Sequence, residues 1–356
     1  MAKVRVLVVE DSLTVRRRLC DILAADPGIE VVGEAADGRR AIELTREHRP
    51  DIITMDMMLP VMSGLAATEY IMAHQPTPIL IVSSSVNRGE LFKTYEALAA
   101  GAVDVLEKPD GEDGTWEERF IAAVKLVARI RVITHPRARL GAFAAPPARR
   151  HDSLADPPAE SRTCEVAVIG ASTGGPGALV EVLRGLPPRF TLPVLIVLHI
   201  NEPFGAAFAD WLDGQTPRRV AYARDGEAIA SAAGRVLMAP PDHHLVIRRG
   251  GRLHLSQAPE RHSCRPSVDI LFESAAAELG PSTAACLLTG MGRDGAAGML
   301  AVRRAGGLTI AQDEATSVVY GMPREAVLLG GAERVLPIGD IGPALAALAN
   351  GGGRRA

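Results

Sequence analysis

The sequence predicts an α/β protein made of two doubly wound parallel-sheet domains joined by a linker. Short apolar runs alternate with stretches whose apolar residues recur at helical spacing, first over about 130 residues and again after a break. The break itself is poor in core-forming side chains. A length of 356 residues suits two domains, at roughly 100–200 residues each. With 47% hydrophobic and 23% charged residues, both halves have the material for a sizeable core.

In the first half, strands are expected at Val4–Val9, Glu30–Glu34, Asp51–Met55, Ile79–Ser83 and Val103–Leu106. Leu13, Leu19, Ile22 and Leu23 fall at helical spacing after the first strand, and Ala41, Ile42 and Leu44 do so after the second. A closing helix is expected over Arg119–Ile133, which sets the first domain at residues 1–133. Strands alternating with helices imply a parallel sheet with right-handed crossovers.

Residues 134–163 are read as the linker. Within it, the 27 residues from Pro136 to Arg162 include seven Ala, five Pro and five Arg, and only Leu140, Phe143 and Leu154 could anchor a core. Paired prolines at 146–147 and 157–158 block helix continuation and favour extended backbone. Such a segment buries too little to offset its ordering entropy.

The alternation resumes over residues 164–350, the second domain. Strands are expected at Val166–Ile169, Val194–Leu198, Arg235–Met238, Ala284–Leu288 and Leu308–Ala311. Helices are expected near Gly177–Leu186, Pro203–Asp213, Val268–Leu279, Gly295–Ala305 and Pro323–Leu329. His243–Ile247 and Gly251–Leu255 read as a hairpin, with Arg248, Arg249 and Arg252 on its solvated turn.

Three acids of the first half sit where strands end: Glu10 and Asp11 after the first and Asp56 after the third. The carboxyl ends of a doubly wound sheet line one crevice, where three carboxylates repel one another unless a cation neutralises them. Oxygen ligands of this kind suit Mg²⁺. Ser83 ends the fourth strand and Lys108 follows the fifth, so a hydroxyl and an ammonium stand at the same rim to meet a phosphoryl group on Asp56. Asp11 or Ser12 can also cap the first helix.

At these residues the first half resembles the flavodoxin-like receiver domain of two-component response regulators. The marks are Val8-Val9-Glu10-Asp11-Ser12, Met55-Asp56 with Pro60 and Gly64, Ser83, and Lys108-Pro109, over roughly residues 3–130. The resemblance implies phosphorylation of Asp56 by a histidine kinase, with Mg²⁺ held by Glu10, Asp11 and Asp56. Val105 stands where many receivers carry a switching aromatic, so any switch is expected to use another side chain.

In the second half an apolar strand runs into Gly170-Ala171-Ser172-Thr173-Gly174-Gly175-Pro176. Small residues around a serine fit a nucleophile elbow, and the following helix start offers free amides to an oxyanion. The same turn also suits a phosphate cradle, although it lacks the Gly-x-Gly-x-x-Gly spacing and no Lys follows. The partners favour the serine. His199 terminates the apolar run Val194–Leu198, and Asp294 lies in the glycine-rich turn after Ala284–Leu288. Ser172, His199 and Asp294 thus fall at three strand ends on one rim, as a hydrolytic triad requires. The chain order Ser–His–Asp disfavours the α/β-hydrolase superfamily. Asp225, Asp242, Asp269 and Asp313 are competing acids in less glycine-rich surroundings.

This half resembles the Rossmann-like catalytic domain of chemotaxis protein-glutamate methylesterases. The matching segments are Ile169–Gly175, His199, Arg265-Pro266-Ser267-Val268-Asp269, Leu288–Gly292 through Asp294-Gly295, Ala311–Glu314 and Gly321-Met322-Pro323. The resemblance implies hydrolysis of glutamate γ-methyl esters on chemoreceptors with release of methanol, and in some members deamidation of receptor glutamines. It also implies an oxyanion hole from backbone amides near Thr173 and Met291, and an esterase that needs no cofactor. A receiver covering the triad cleft until Asp56 is phosphorylated is the expected control. Two departures flank the site: His199-Ile200-Asn201 in place of the frequent His-Met-Pro, and Arg293 in place of a small polar or acidic residue.

Composition narrows the alternatives. A net charge of −3 and 4% aromatics disfavour a nucleic-acid-binding surface or a stacking platform. Cys20, Cys164, Cys264 and Cys286 show no Cys-x-x-Cys spacing, which points to reduced thiols in a cytoplasmic protein. His243, His244, His262 and Cys264 fit no zinc spacing. No apolar run approaches the ~20 residues of a membrane span, so no membrane insertion is expected. A non-catalytic binding module and a nucleotide-binding output remain as the other readings of the second half. A transcription factor ranks last, for want of a helix-turn-helix with a basic face.

Overall fold

The computed structural model describes residues 3–84, 87–108, 114–130, 132, 164–200 and 203–349. The linker expected at 134–163 lies outside the described residues. The chain divides into two compact units, 1–141 and 142–356.

The first unit alternates strand and helix throughout. Its strands are β1 (Val4–Val9), β2 (Ile29–Ala35), β3 (Ile52–Met55), β4 (Ile79–Ser83) and β5 (Asp104–Glu107). Its helices are α1 (Leu13–Ala24), α2 (Gly38–His48), α3 (Gly64–His74), α4 (Arg88–Ala99) and α5 (Gly114–Val127). The sheet order is β2-β1-β3-β4-β5, with every neighbouring pair parallel. The four residues of β3 and the last four of β1 are buried, because helices cover both faces of a doubly wound sheet. Four helices start on their own side-chain caps: Ser12, Asp37, Ser63 and Asn87 accept from the amides of Val15, Arg40, Ala66 and Glu90.

Two helical details differ from expectation. The closing helix α5 begins at Gly114, five residues before the expected start, because its buried face begins with Trp116 and continues through Phe120, Val124 and Val127. Leu13 is 52% exposed, so the core face of α1 is carried by Leu19, Ile22 and Leu23.

The second unit holds a seven-stranded parallel sheet. Its strands are β6 (Val166–Ala171), β7 (Val194–Leu198), β8 (Val220–Tyr222), β9 (Val236–Met238), β12 (Thr283–Leu287), β13 (Leu308–Gln312) and β14 (Arg334–Leu336). Their order is β14-β13-β12-β6-β7-β9-β8, which centres β6 between β12 and β7. The expected hairpin is present as β10 (His244–Arg248) and β11 (Arg252–Ser256), paired antiparallel. The helices are α6 (Gly175–Gly185), α7 (Phe208–Gln215), α8 (Val268–Leu279), α9 (Ala296–Arg304), α10 (Met322–Leu328) and α11 (Ile338–Ala349). Helix α7 starts at Phe208 instead of Pro203. The edge strands β8 and β14 are three residues each, too short to show a period. Among the described residues, no helix is long and apolar enough to cross a membrane.

The core of this unit packs α8 and α9 against the central strands, joining Val168, Leu287, Val268, Phe272 and Met299. Gly170 makes the close approach possible: a Cβ there would lie 3.1 Å from Leu287 Cδ1 and closer still to both methyls of Val268. Gly170→Ala is expected to destabilise the second unit by about 1–3 kcal/mol through overpacking. Urea unfolding of the full chain, followed by Trp211 fluorescence in a Trp116→Phe background, checks this. An unchanged midpoint would contradict it.

Candidate functional site

The first rim is a buried ion cluster. Glu10 is 1% and Asp56 3% exposed, Asp11 is exposed, and their carboxylate oxygens lie within 4.8 Å of one another. Lys108 Nζ reaches both buried acids, at 2.8 Å from Glu10 Oε2 and 3.1 Å from Asp56 Oδ2. Burial raises the pKa of Asp56 and Glu10 above the usual carboxylate range, with Lys108 opposing. Burial works to lower the Lys108 pKa, but Asp56 and Glu10 outweigh it and raise it. Ser83 is fully buried, and its carbonyl accepts the Lys108 amide at 3.0 Å, which sets hydroxyl and ammonium on adjacent strand ends. The turn after β3 depends on Gly64, where any Cβ would collide with the carbonyl of Asp56. Val105 is half-buried on β5.

The second rim is formed at the carboxyl ends of β6, β7 and β12. Parallel register sets Ala171 beside Leu198, so Ser172 and His199 leave neighbouring strands side by side. The His199 amide donates to Ala171 O at 3.0 Å, and the Ser172 amide to Thr289 O at 3.0 Å. Gly174 caps α6 at φ 77°, a left-handed conformation that favours glycine. Gly290 permits the approach of the next turn: a Cβ there would come within 2.7 Å of Ser172 Cβ. Among the described residues, the amides of Thr173 and Met291 donate to no protein acceptor, as an oxyanion site needs.

Asp294 is 2% exposed. Its Oδ1 accepts from Ser267 Oγ at 2.8 Å, Asp269 N at 3.0 Å and Gly295 N at 3.1 Å. Its Oδ2 accepts from Val268 N at 2.7 Å and lies 2.9 Å from His199 Nε2. Burial pushes its pKa up, but His199 and these amides outweigh burial and hold it below the usual carboxylate value. For His199, burial works downward, yet Asp294 and Cys264 raise its pKa to about 9. His199 Nδ1 lies 3.7 Å from Cys264 Sγ. No hydrogen bond joins Ser172 to His199 among the described residues.

The expected residues therefore gather at two rims: Glu10, Asp11, Asp56, Ser83 and Lys108 at one, Ser172, Thr173, His199, Met291 and Asp294 at the other. Three of the four competing acids are engaged elsewhere. Asp225 accepts from His254 and the Leu255 amide, Asp242 from Arg265, and Asp313 from Thr316. Asp269 is buried beneath Asp294 and accepts the Gly298 amide. Cys264 beside His199 and Ser267 beside Asp294 are additions. Ser267 lies in the segment Arg265–Asp269, and nothing in its spacing joins it to Asp294. His243 and His244 meet backbone carbonyls of Pro241 and Pro259 instead of Cys264.

Comparison with known proteins defines the class first. The response regulator receiver domain family matches residues 6–115 and the CheB methylesterase family matches residues 167–345, which makes this a response regulator with a methylesterase-type second domain. The chain is 44% identical over 344 residues to protein-glutamate methylesterase/protein-glutamine glutaminase 2 of Anaeromyxobacter dehalogenans, covering 96% of each. It is 43% identical over 350 residues to the protein of that name from Pseudomonas aeruginosa, again covering 96% of each. The crystal structure of the Thermotoga maritima CheB methylesterase catalytic domain matches with a TM-score of 0.50 at 36% identity, covering 52% of this chain and 99% of that one. The chain belongs to the protein-glutamate methylesterase/protein-glutamine glutaminase family.

Only a neutral imidazole accepts a proton, so the base form of His199 is expected to grow as pH rises toward about 9. NMR titration of its ring should show that midpoint instead of the ordinary value of about 6.5. A midpoint below about 7 would contradict the Asp294 and Cys264 contacts as the cause.

Proposed function

We infer that this protein is a phosphorylation-controlled enzyme that hydrolyses glutamate γ-methyl esters on chemoreceptors, releasing methanol, and deamidates receptor glutamines. The observation that carries the site assignment is the 2.9 Å pairing of His199 with buried Asp294 at the strand end beside Ser172.

Asp294 engages Nε2, so the Ser172 proton goes to His199 Nδ1. Ser172 Oγ then bonds to the ester carbonyl carbon, and the oxyanion meets the amides of Thr173 and Met291. His199 returns the proton to the leaving oxygen, the ester C–O bond breaks, and methanol departs. Water attacks the acyl-serine by the same proton path and frees the glutamate carboxylate. With a glutamine side chain the leaving group is ammonia.

The receiver implies a histidine kinase partner and Asp56 as phosphoryl acceptor, with Ser83 and Lys108 contacting the phosphoryl oxygens. The acid cluster fits Mg²⁺: all its donors are oxygens, and two buried carboxylates share one ammonium. Glu10, Asp11 and Asp56 would hold the ion, which when bound neutralises phosphoryl charge. The reading assigns 1–133 to the receiver, 134–163 to the linker and 164–350 to the methylesterase domain. Free thiols at Cys20, Cys164, Cys264 and Cys286 support a cytoplasmic setting.

Methanol release from methylated receptor membranes tests the assignment. Ser172→Ala is expected to lower it by at least ~10³-fold. A small-molecule phosphodonor is expected to raise the wild-type rate, and Asp56→Asn or removal of Mg²⁺ to abolish that rise. Release by Ser172→Ala at the wild-type rate would sink the serine mechanism.

A further inference from the structure

His199 presents two nitrogens to two different partners. Nε2 lies 2.9 Å from the Asp294 carboxylate and Nδ1 lies 3.7 Å from the Cys264 sulfur. Tetrahedral Zn²⁺ with bonds of about 2.05 Å to nitrogen and about 2.3 Å to sulfur would separate those two ligand atoms by roughly 3.6 Å. A carboxylate on the opposite ring nitrogen is the usual second partner of a metal-binding imidazole, fixing its orientation and raising its basicity. Ligand atoms of His199, Cys264 and Asp294 all lie within 4.8 Å of one another.

Cys264 is held in place by its own turn. Arg261 and Cys264 exchange backbone hydrogen bonds of 3.2 and 3.0 Å, with His262 and Ser263 between them at φ 55° and 58°. Two consecutive residues at positive φ between an antiparallel-bridged pair make a tight two-residue turn, which fixes the backbone of Cys264. A second cluster, His262, Asp269 and Asp294, lies nearby but is met by guanidinium groups. Arg261 sits 3.6 Å from Asp269 and Arg293 Nε 3.4 Å from the His262 ring, which opposes a cation there. Among the described residues, no Lys or Arg forms an ion pair with Asp294.

We propose that His199 Nδ1 and Cys264 Sγ form a Zn²⁺ site, completed by water and backed by Asp294, that inhibits the enzyme when filled. The inhibition rests on the reading above, in which Nδ1 receives the Ser172 proton. Binding sends the Cys264 thiol proton and the Nδ1 proton of the imidazolium to solvent, and the metal takes the freed Nδ1 lone pair, leaving the serine proton without an acceptor. A thiolate and an imidazole select a borderline-soft cation, whereas the all-oxygen set around Asp56 selects Mg²⁺. The two rims therefore sort different ions on one chain.

The test uses the full chain in excess Mg²⁺, which occupies the receiver carboxylates. Co²⁺, a spectroscopic stand-in for Zn²⁺, is expected to give a near-ultraviolet thiolate-to-metal charge-transfer band at one equivalent. Cys264→Ala and His199→Gln should both lose it. Zn²⁺ is expected to suppress methanol release reversibly, with chelator restoring it. Cys264→Ala should need at least about tenfold more free Zn²⁺ for the same fractional inhibition, and Cys264→Ser guards against a packing defect as the cause. Absence of the band in the wild type, its persistence in Cys264→Ala, or equal Zn²⁺ inhibition in both proteins would overturn the proposal. Absence of methanol release under every condition would instead refute the esterase reading, and the cobalt band alone would then decide whether the metal site exists.

Discussion

The buried carboxylate of Asp294 is the point on which the second unit's rim turns. An ionised carboxylate removed from water is costly unless hydrogen bonds and a partner charge offset the loss. Four protein donors surround it besides His199, and two of them are amides from the first turn of α8. Neither α8 nor α9 carries a side-chain cap of its own. Instead the helices cap each other across their contact. Asp294, just before α9, accepts from the start of α8; Asp269, in the first turn of α8, accepts the Gly298 amide of α9 at 2.7 Å. Gly298 allows that closeness, since a Cβ there would lie 2.6 Å from Phe272 Cβ. The same atoms that hold the two helices together thus hold His199.

The first unit resolves the same topological problem differently. Its helices α1 to α4 are capped locally by Ser12, Asp37, Ser63 and Asn87. The carboxylates at its strand ends are therefore left mostly to one another and to Lys108, apart from short-range bonds to the Ser12, Met57 and Met58 amides. Net negative charge stays at the rim, where a cation can neutralise it. In the second unit the rim charge is absorbed by helix starts and an imidazole. One sheet architecture leaves a carboxylate cluster at the first rim and a held imidazole at the second, with the helix caps supplied in different ways.

Much of this was legible in the sequence because strands buried on both faces read as continuous apolar runs. Val194–Leu198 matches β7 residue for residue, and the residue after each central strand, Asp56, Ser172 or His199, stood out as polar against that background. Ser63 and Asn87 announce the starts of α3 and α4, but α3 shows little helical period in its apolar residues. The short edge strands carried too few residues for any pattern. Contacts between distant segments were beyond reach. Cys264 lies 65 residues from His199 in sequence and Ser267 27 from Asp294, and no local spacing reports either pair.

Those distant contacts decide how His199 works. With Nε2 committed to a carboxylate that four other donors hold still, the ring has one nitrogen left for chemistry. That nitrogen faces the Cys264 sulfur in this structure, and Ser172 stands on the adjoining strand end without bonding to it. In the proposed mechanism Nδ1 must be unprotonated and must meet the Ser172 hydroxyl, whereas Asp294 and Cys264 together raise the pKa to about 9 and favour the imidazolium. The contacts that orient the base therefore also oppose its neutral form. The contacts that hold the imidazole in place thus favour its charged form, and the sulfur occupies the nitrogen that faces away from Asp294.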